Sequence, residues 1–347
     1  MADTSAAGAH DRIVAGWLLV CCAMIFGMVV LGGVTRLTGS GLSMVEWDPI
    51  FGVIPPLSQE EWQAVFDQYR ASPEYQKVNV RMDVDGFKSI YWFEFTHRLL
   101  GRAIGTVFLV PFLFFLWRGW IGRPLIPKLV AMFVLGGLQG ALGWYMVASG
   151  LVDDPHVSQY RLTAHLVLAF LIYGFIFWVA LDLLQPARAA TAAVSDRLRN
   201  GAGLFLLLVI VTISSGGLVA GLKAGYAYST FPLMDGHLIP KAIFHFEPLW
   251  RNFFENIATV QFDHRLLATL VLISGLALWL AARKLPGALR WRAHLLLGMI
   301  GVQIALGIST LLLHVPIALA SLHQAGALVL LTLTLYLLHG LRRPASP

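Results

Sequence analysis

The sequence predicts an all-α, polytopic membrane protein whose eight transmembrane helices form two repeated four-helix bundles. Three observations lead there. Of 347 residues, 57% are apolar and only 13% charged, and the mean hydropathy is +0.71. A soluble domain is roughly 25% charged, so this chain has too few polar groups to cover a wetted surface. Eight apolar runs, at 13–34, 96–117, 126–147, 162–184, 202–222, 264–282, 293–313 and 317–340, are each close to the ~20 residues a bilayer core requires. Finally, landmarks recur in the same order in the two halves of the chain. Disorder is excluded by the same hydrophobicity.

The first run follows a polar N-terminus, and no small-residue cleavage site succeeds it, so it reads as a retained helix. It holds the two cysteines, Cys21 and Cys22, which at lipid depth act as small apolar side chains. With no other cysteine, covalent C-x-x-C-H haem attachment and Cys-based zinc or iron–sulfur sites are excluded. The long loop 35–93 comes next. Its stretch 58–92 opens with Gln59-Glu60-Glu61-Trp62, then Phe66 and Tyr69, an acidic amphipathic pattern that predicts a helix lying over the bundle end. Runs two to five are joined by short links, a second long loop covers 223–263, and runs six to eight close the chain.

Basic residues sit in clusters on one side: Arg118/Arg123/Lys128, Arg188/Arg197/Arg199, Arg283/Lys284/Arg290/Arg292 and Arg342/Arg343. That side carries 13 Lys/Arg and four acids, the other 12 and 15. The positive-inside rule makes the first side cytoplasmic, so both termini lie inside and both long loops outside. The net charge of +6 therefore orients the chain and does not point to nucleic acid.

The repeat has five landmarks. Leu31 to Ser43 (LGGVTRLTGSGLS) matches Ser215 to Ala227 (SGGLVAGLKAGYA), and each leads into a long outer loop. Phe95-Thr96-His97-Arg98 matches Phe262-Asp263-His264-Arg265. Gln139 to Gly143 matches Gln303 to Gly307, and Thr163-Ala164-His165 matches Ser321-Leu322-His323. Four spans return a chain to its starting side, so the halves, 1–190 and 191–347, have the same polarity.

His97, His165, His264 and His323 open the second and fourth helix of each half, which puts each pair at one depth near the outer end. Ionisable groups at such depth are costly and functional by default. Facing imidazoles across a four-helix bundle are what six-coordinate haem iron requires. A lone histidine would read as an interfacial hydrogen-bonding residue; four paired by a repeat favour haem ligation. Zinc is disfavoured because no carboxylate or cysteine cluster accompanies the pairs. His10, His156, His237, His245, His294, His314 and His339 lack repeat partners and read as loop or interfacial residues. Arg98 and Arg265 suit haem propionates, with snorkelling to lipid phosphate as the competing role. Arg102 is left open between these roles. Arg36, in a glycine-rich segment, either serves propionates or belongs to a plain turn.

The halves differ at one matched position: Glu94 precedes His97 by three residues, and Gln261 precedes His264 by three. That spacing places Glu94 on the face of His97. A carboxylate there can take a proton or stabilise a developing cation; an amide can do neither by charge. The bland alternative is a helix-start carboxylate favoured by the macrodipole. The asymmetry assigns chemistry to the first half and electron relay to the second.

With these residues assembled, the sequence resembles the haem A synthase family of bacterial inner membranes and mitochondria over essentially its whole length. The resemblance rests on Gly32 to Ser43, Glu46-Trp47-Asp48-Pro49, Phe93 to Arg98, Gln261 to Arg265 and Phe231 to Gly236 (FPLMDG). It implies oxidation of the C8 methyl of haem O to a formyl group, for the haem A of terminal oxidases. It implies His97 and His165 as ligands of substrate haem O, Glu94 as the acting carboxylate, and His264 and His323 as iron ligands of a haem b cofactor. With both axial positions filled, the iron has no place for dioxygen, so water is the expected oxygen source. Some bacterial members carry a cysteine pair in the first outer loop; 35–93 has none, which aligns this chain with the alpha-proteobacterial and mitochondrial type. Expected partners are the bilayer, haem O synthase, oxidase assembly factors and, in a homo-oligomer, a second copy. The rival reading of the same four histidines is a di-haem b electron-transfer subunit without turnover. A transporter, which the repeat also suggests, lacks a broken span with paired midplane charges.

Overall fold

The computed structural model describes residues 2–46, 52–151, 155, 157–185, 194–285 and 287–342. Trp47, Asp48, Pro49, His156, Arg188, Arg343 and the boundary at 190/191 lie outside them. The described residues form α1 (Ala2–Leu37), α2 (Gln59–Arg70), α3 (Pro73–Lys77), α4 (Val84–Trp117), α5 (Ile126–Gly150), α6 (Gln159–Leu184), α7 (Asp196–Gly221), α8 (Asn252–Glu255), α9 (Ile257–Ala282), α10 (Gly287–Leu312) and α11 (Ile317–Leu341). Eight of these, α1, α4, α5, α6, α7, α9, α10 and α11, are long and apolar enough to span a bilayer, as the eight apolar runs predict.

Helix starts follow local chemistry. Ser58 and Glu61 form a capping box on α2, Asp83 caps α4 through Gly86 N, Ser195 caps α7, and Asn256 accepts from Ala258 N and Thr259 N at α9. Each satisfies backbone donors that the first turn leaves orphaned.

The packing is cyclic in each half. Helix α1 touches α4 and α6, and α5 joins α4 to α6; α7 touches α9 and α11, and α10 joins α9 to α11. This arrangement is compatible with two repeated four-helix bundles. The bundles meet where α1 and α6 face α7 and α11. Gln324 Nε2 donates to Val29 O at 2.7 Å, and Tyr173 and Thr332 share a 2.9 Å hydrogen bond across this seam. At the end bearing the termini, Asp182 pairs with Arg342 and His339, and Arg292 donates to Gln185 Oε1 at 2.8 Å. Cys21 and Cys22 are buried in the core, consistent with their reading as apolar fillers.

Several spanning helices begin before the expected runs, α1 at Ala2, α7 at Asp196, α9 at Ile257 and α10 at Gly287, and the largest departure is in α4. The second span was placed at 96–117, yet its helix begins at Val84. The extra turns project beyond the bundle because they have something to bury against: Phe87, Ile90 and Tyr91 pack with Trp62, Phe66 and Tyr69 of α2. Helix α2 is the amphipathic helix expected in the outer loop. Together they form an aromatic cap over the first bundle. At ~1.5 Å per residue, His97 lies about 20 Å from the start of α4, whereas His264 lies about 10 Å from the start of α9.

Candidate functional site

The Glu94 carboxylate is buried and fully engaged. Its Oε1 accepts from Arg98 at 2.6 Å, while Oε2 accepts from Ser43 Oγ at 2.7 Å and from Met44 N at 2.8 Å. Arg98 spreads its remaining donors over the loop, to Met44 O and Glu46 O, both at 2.9 Å. The pair thus fastens the segment after α1 to the α4 face that carries His97. The second half repeats the clamp with neutral parts. Gln261 Nε2 donates to Ala224 O and Tyr228 O, and its Oε1 accepts from Arg265. Arg265 in turn donates to Tyr228 O, Pro232 O and Leu233 O. Repeat alignment sets Tyr228 opposite Met44 and Ala227 opposite Ser43. The first half therefore has a charge and a hydroxyl where the second has an amide and a methyl.

The expected propionate contacts separate into two kinds. Arg98 is committed to Glu94 and loop carbonyls. Arg36 donates to Ala220 O at 3.2 Å, across the seam between the halves. The Nε atoms of Arg36 and Arg265 are buried and unpartnered. Buried donors without acceptors are rare and costly, and a carboxylate from a bound molecule would satisfy them.

Two of the histidines meet directly. The rings of His264 and His323 lie 6.5 Å apart, centroid to centroid, at 88°. Two metal–imidazole bonds of about 2 Å each would set facing centroids about 6 Å apart, so this pair fits an iron held between them. Among the described residues no group of three or more His, Cys, Asp or Glu converges.

The tautomer of His264 follows from counting protons. Ser215 Oγ lies 2.7 Å from Thr212 O and 2.8 Å from His264 Nδ1. A carbonyl only accepts, so the single serine proton goes there. Nδ1 must then be the donor to Ser215, and Nε2 keeps its lone pair free for a metal. Leu31 occupies the matching position in the first half.

Gln139 and Gln303, matched landmarks without an assigned role, prove to be neighbours of the ligand candidates. Gln139 Nε2 donates to His165 O at 3.0 Å, and Gln303 Nε2 to His323 O at 2.9 Å. Their Oε1 atoms, the hydroxyls of Thr163 and Ser321, and Nδ1 of His323 are buried without partners. Sequence reasoning also missed Ser43 and Ser215. Their only signal was standing opposite Ala227 and Leu31. Beside Arg98, a small cavity of about 80 Å³ is lined by Met44, Val45, Trp144, Val147, Ala148 and Leu151.

Fold and site thus define a polytopic, all-α membrane protein that carries half-buried histidines on its spanning helices α4, α6, α9 and α11. The profile of the COX15-CtaA family, described as cytochrome oxidase assembly protein, matches residues 15–335. The chain is 57% identical over 338 residues to the haem A synthase of Nitrosospira multiformis, covering 96% of this chain and 95% of that protein. It is 51% identical to the haem A synthase of Paramagnetospirillum magneticum, over 97% and 95% of the two chains. Against the haem A synthase COX15 of Arabidopsis thaliana it is 48% identical, over 95% of this chain and 74% of that one. The chain belongs to the COX15-CtaA family.

Proposed function

We propose that the chain is an enzyme of haem A biosynthesis that oxidises the C8 methyl of haem O to a formyl group. On this reading 1–190 holds substrate haem O between His97 and His165, and 191–347 holds haem b between His264 and His323. The chain sits in a bacterial inner membrane with both termini cytoplasmic. Haem O synthase supplies its substrate.

One observation carries the proposal: the swap of Glu94 for Gln261 at matched positions in otherwise parallel clamps, in a chain whose relatives are haem A synthases. The overall change, R–CH3 + H2O → R–CHO + 4 H⁺ + 4 e⁻, runs as two two-electron steps. Each adds one water, and the gem-diol loses one. Positive charge develops at the methyl carbon as electrons leave. Glu94 supplies the compensating negative charge. Its lone pairs are already occupied by Ser43, Met44 and Arg98, which suits it to stabilise charge in place more than to carry protons. Haem b, when bound, supplies a one-electron redox centre that passes electrons outward. Ser215 keeps His264 in the ligating tautomer, while Leu31 imposes no such hold on His97, whose porphyrin must be exchanged at each turnover. The isoprenoid tail of the substrate calls for sideways entry from lipid between helices.

The test is chromatography of haems extracted from membranes with and without the chain. Haem A appearing only with it, and carrying label from H2¹⁸O in its formyl oxygen, is the expected result. Label arriving solely from dioxygen would overturn the water route, and haem A formation independent of the chain would overturn the assignment.

A further inference from the structure

Each of the four histidine rings rests on a glycine of a neighbouring helix. A Cβ added at Gly307 of α10 would stand 2.8 Å from Cε1 of His323, and one at Gly143 of α5 would stand 2.9 Å from Cε1 of His165. At Gly216 of α7 the corresponding distance is 3.2 Å, to Cε1 of His264, and at Gly32 of α1 it is 3.2 Å, to Nε2 of His97. These are matched positions of the internal repeat: Gly32 with Gly216, and Gly143 with Gly307. At Gly136 of α5 and Gly301 of α10 an added Cβ would meet nothing within 4 Å. Close approach is not confined to histidines, since a Cβ at Gly33, Gly150 or Gly217 would stand 2.8, 3.0 or 2.8 Å from Gln324, Leu42 or Thr163; what sets these four glycines apart is that the repeat places each of them against an imidazole.

We infer that Gly32, Gly143, Gly216 and Gly307 are positioning residues, seats that set how far each imidazole reaches toward the metal between a pair. The inference rests on the reading that the pairs ligate iron porphyrin. In α5 and α10 the seat is half of a two-part device. Gln139 and Gln303, one turn before the glycine, hold the backbone carbonyl of the ligand residue, and the glycine takes the ring. With its backbone held by the glutamine and one side closed by the glycine, the ring has to shift away from an added methyl. Ordinary Cβ contacts begin at 3.4 Å, so alanine at Gly143 or Gly307 pushes the ring by about 0.5 Å, beyond the roughly 0.2 Å that metal–ligand distances tolerate. At Gly32 and Gly216 the push is about 0.2 Å, at the edge of that tolerance. The second pair thus has one stringent and one lenient seat, and so has the first.

The experiment uses the full-length chain, purified and titrated with iron protoporphyrin IX, read by absorption and electron paramagnetic resonance. Gly307→Ala should convert one six-coordinate low-spin centre to high spin and weaken haem binding about tenfold or more. Gly216→Ala should give a smaller effect, and Gly301→Ala none. Should Gly307→Ala fail to accumulate, Gly143→Ala carries the same expectation for the first pair. Thermal unfolding of the haem-free variants should match the parent, which separates ring seating from general destabilisation. Low-spin spectra and parental affinity in both Gly307→Ala and Gly143→Ala overturn the inference. A parent chain that binds no haem through its histidines would instead overturn the ligation reading beneath it.

Discussion

Replacing Glu94 with Gln tests the proposed chemistry with the smallest change of shape. The carboxylate has two oxygens, and the structure uses both: one for Arg98 at 2.6 Å, the other for Ser43 Oγ and Met44 N at 2.7 and 2.8 Å. An amide keeps one oxygen. Whichever way it turns, its NH2 meets a group that cannot accept, either the Arg98 guanidinium or the Met44 N–H. The side chains of Glu94 and Arg98 are 4% and 8% exposed, so solvent does not repair the loss. Breaking such a pair costs about 3 kcal/mol, against about 5–15 kcal/mol for a whole fold. The protein should therefore still assemble, with a looser segment at 43–46. Loss of a preorganised charge facing a developing cation costs about 10²–10³ in rate. Extracted haems resolved by chromatography should show haem A falling about a hundredfold relative to haem O, at unchanged total pigment. Ser43→Ala, which keeps the charge and removes one donor, should lower the yield far less. An unchanged ratio of haem A to haem O in Glu94→Gln would refute the role given to Glu94.

Three further outcomes are expected. Ser215→Ala removes the partner that holds His264 Nδ1, and haem b affinity should drop about tenfold in a titration with iron protoporphyrin IX, while Ser214→Ala should leave it unchanged. Burial raises the Glu74 carboxyl to about 7 from its ordinary 4.5, despite the Tyr69 hydroxyl that donates to it. The folded cap therefore holds this proton more tightly than the unfolded chain. Its contribution is complete below about pH 4.5 and is lost as pH rises through about 7, a swing of roughly 3 kcal/mol. Hydrogen exchange across α2 and α3 should show protection declining over that window in the parent and flat in Glu74→Gln. Trp62→Ala, which empties the centre of the aromatic cap, should cost about 3–5 kcal/mol locally and open the stretch 59–77 to limited proteolysis.

The parts legible in the sequence are those on which lipid imposes a rule. A bilayer demands about 20 apolar residues per span, so all eight spanning helices could be placed, and histidines within spans are costly enough that four in register pointed to a shared task. Helix α2 was legible because Trp62, Phe66 and Tyr69 recur at helical spacing. The early start of α4 was not, since residues 84–95 mix charge with aromatics and their helical face appears only once α2 covers it. The commitment of Arg98 was hidden for a different reason: its acceptors at Met44 and Glu46 lie 54 and 52 residues away, and loop carbonyls have no sequence signature. Ser215 reads as an ordinary small residue in an apolar run until His264 is brought within 2.8 Å of it. The glycines beneath the rings read as punctuation until the neighbouring helices are laid against them.

The central claim is that two pairs of imidazoles each clamp one iron porphyrin. Haem content of the purified chain, measured by absorption in the parent and in the two paired variants, tests it most directly. His97→Ala/His165→Ala should remove the substrate-site pigment and keep haem b, and His264→Ala/His323→Ala should do the reverse. A colourless parent chain, or pigment undiminished when all four histidines are alanine, would contradict it.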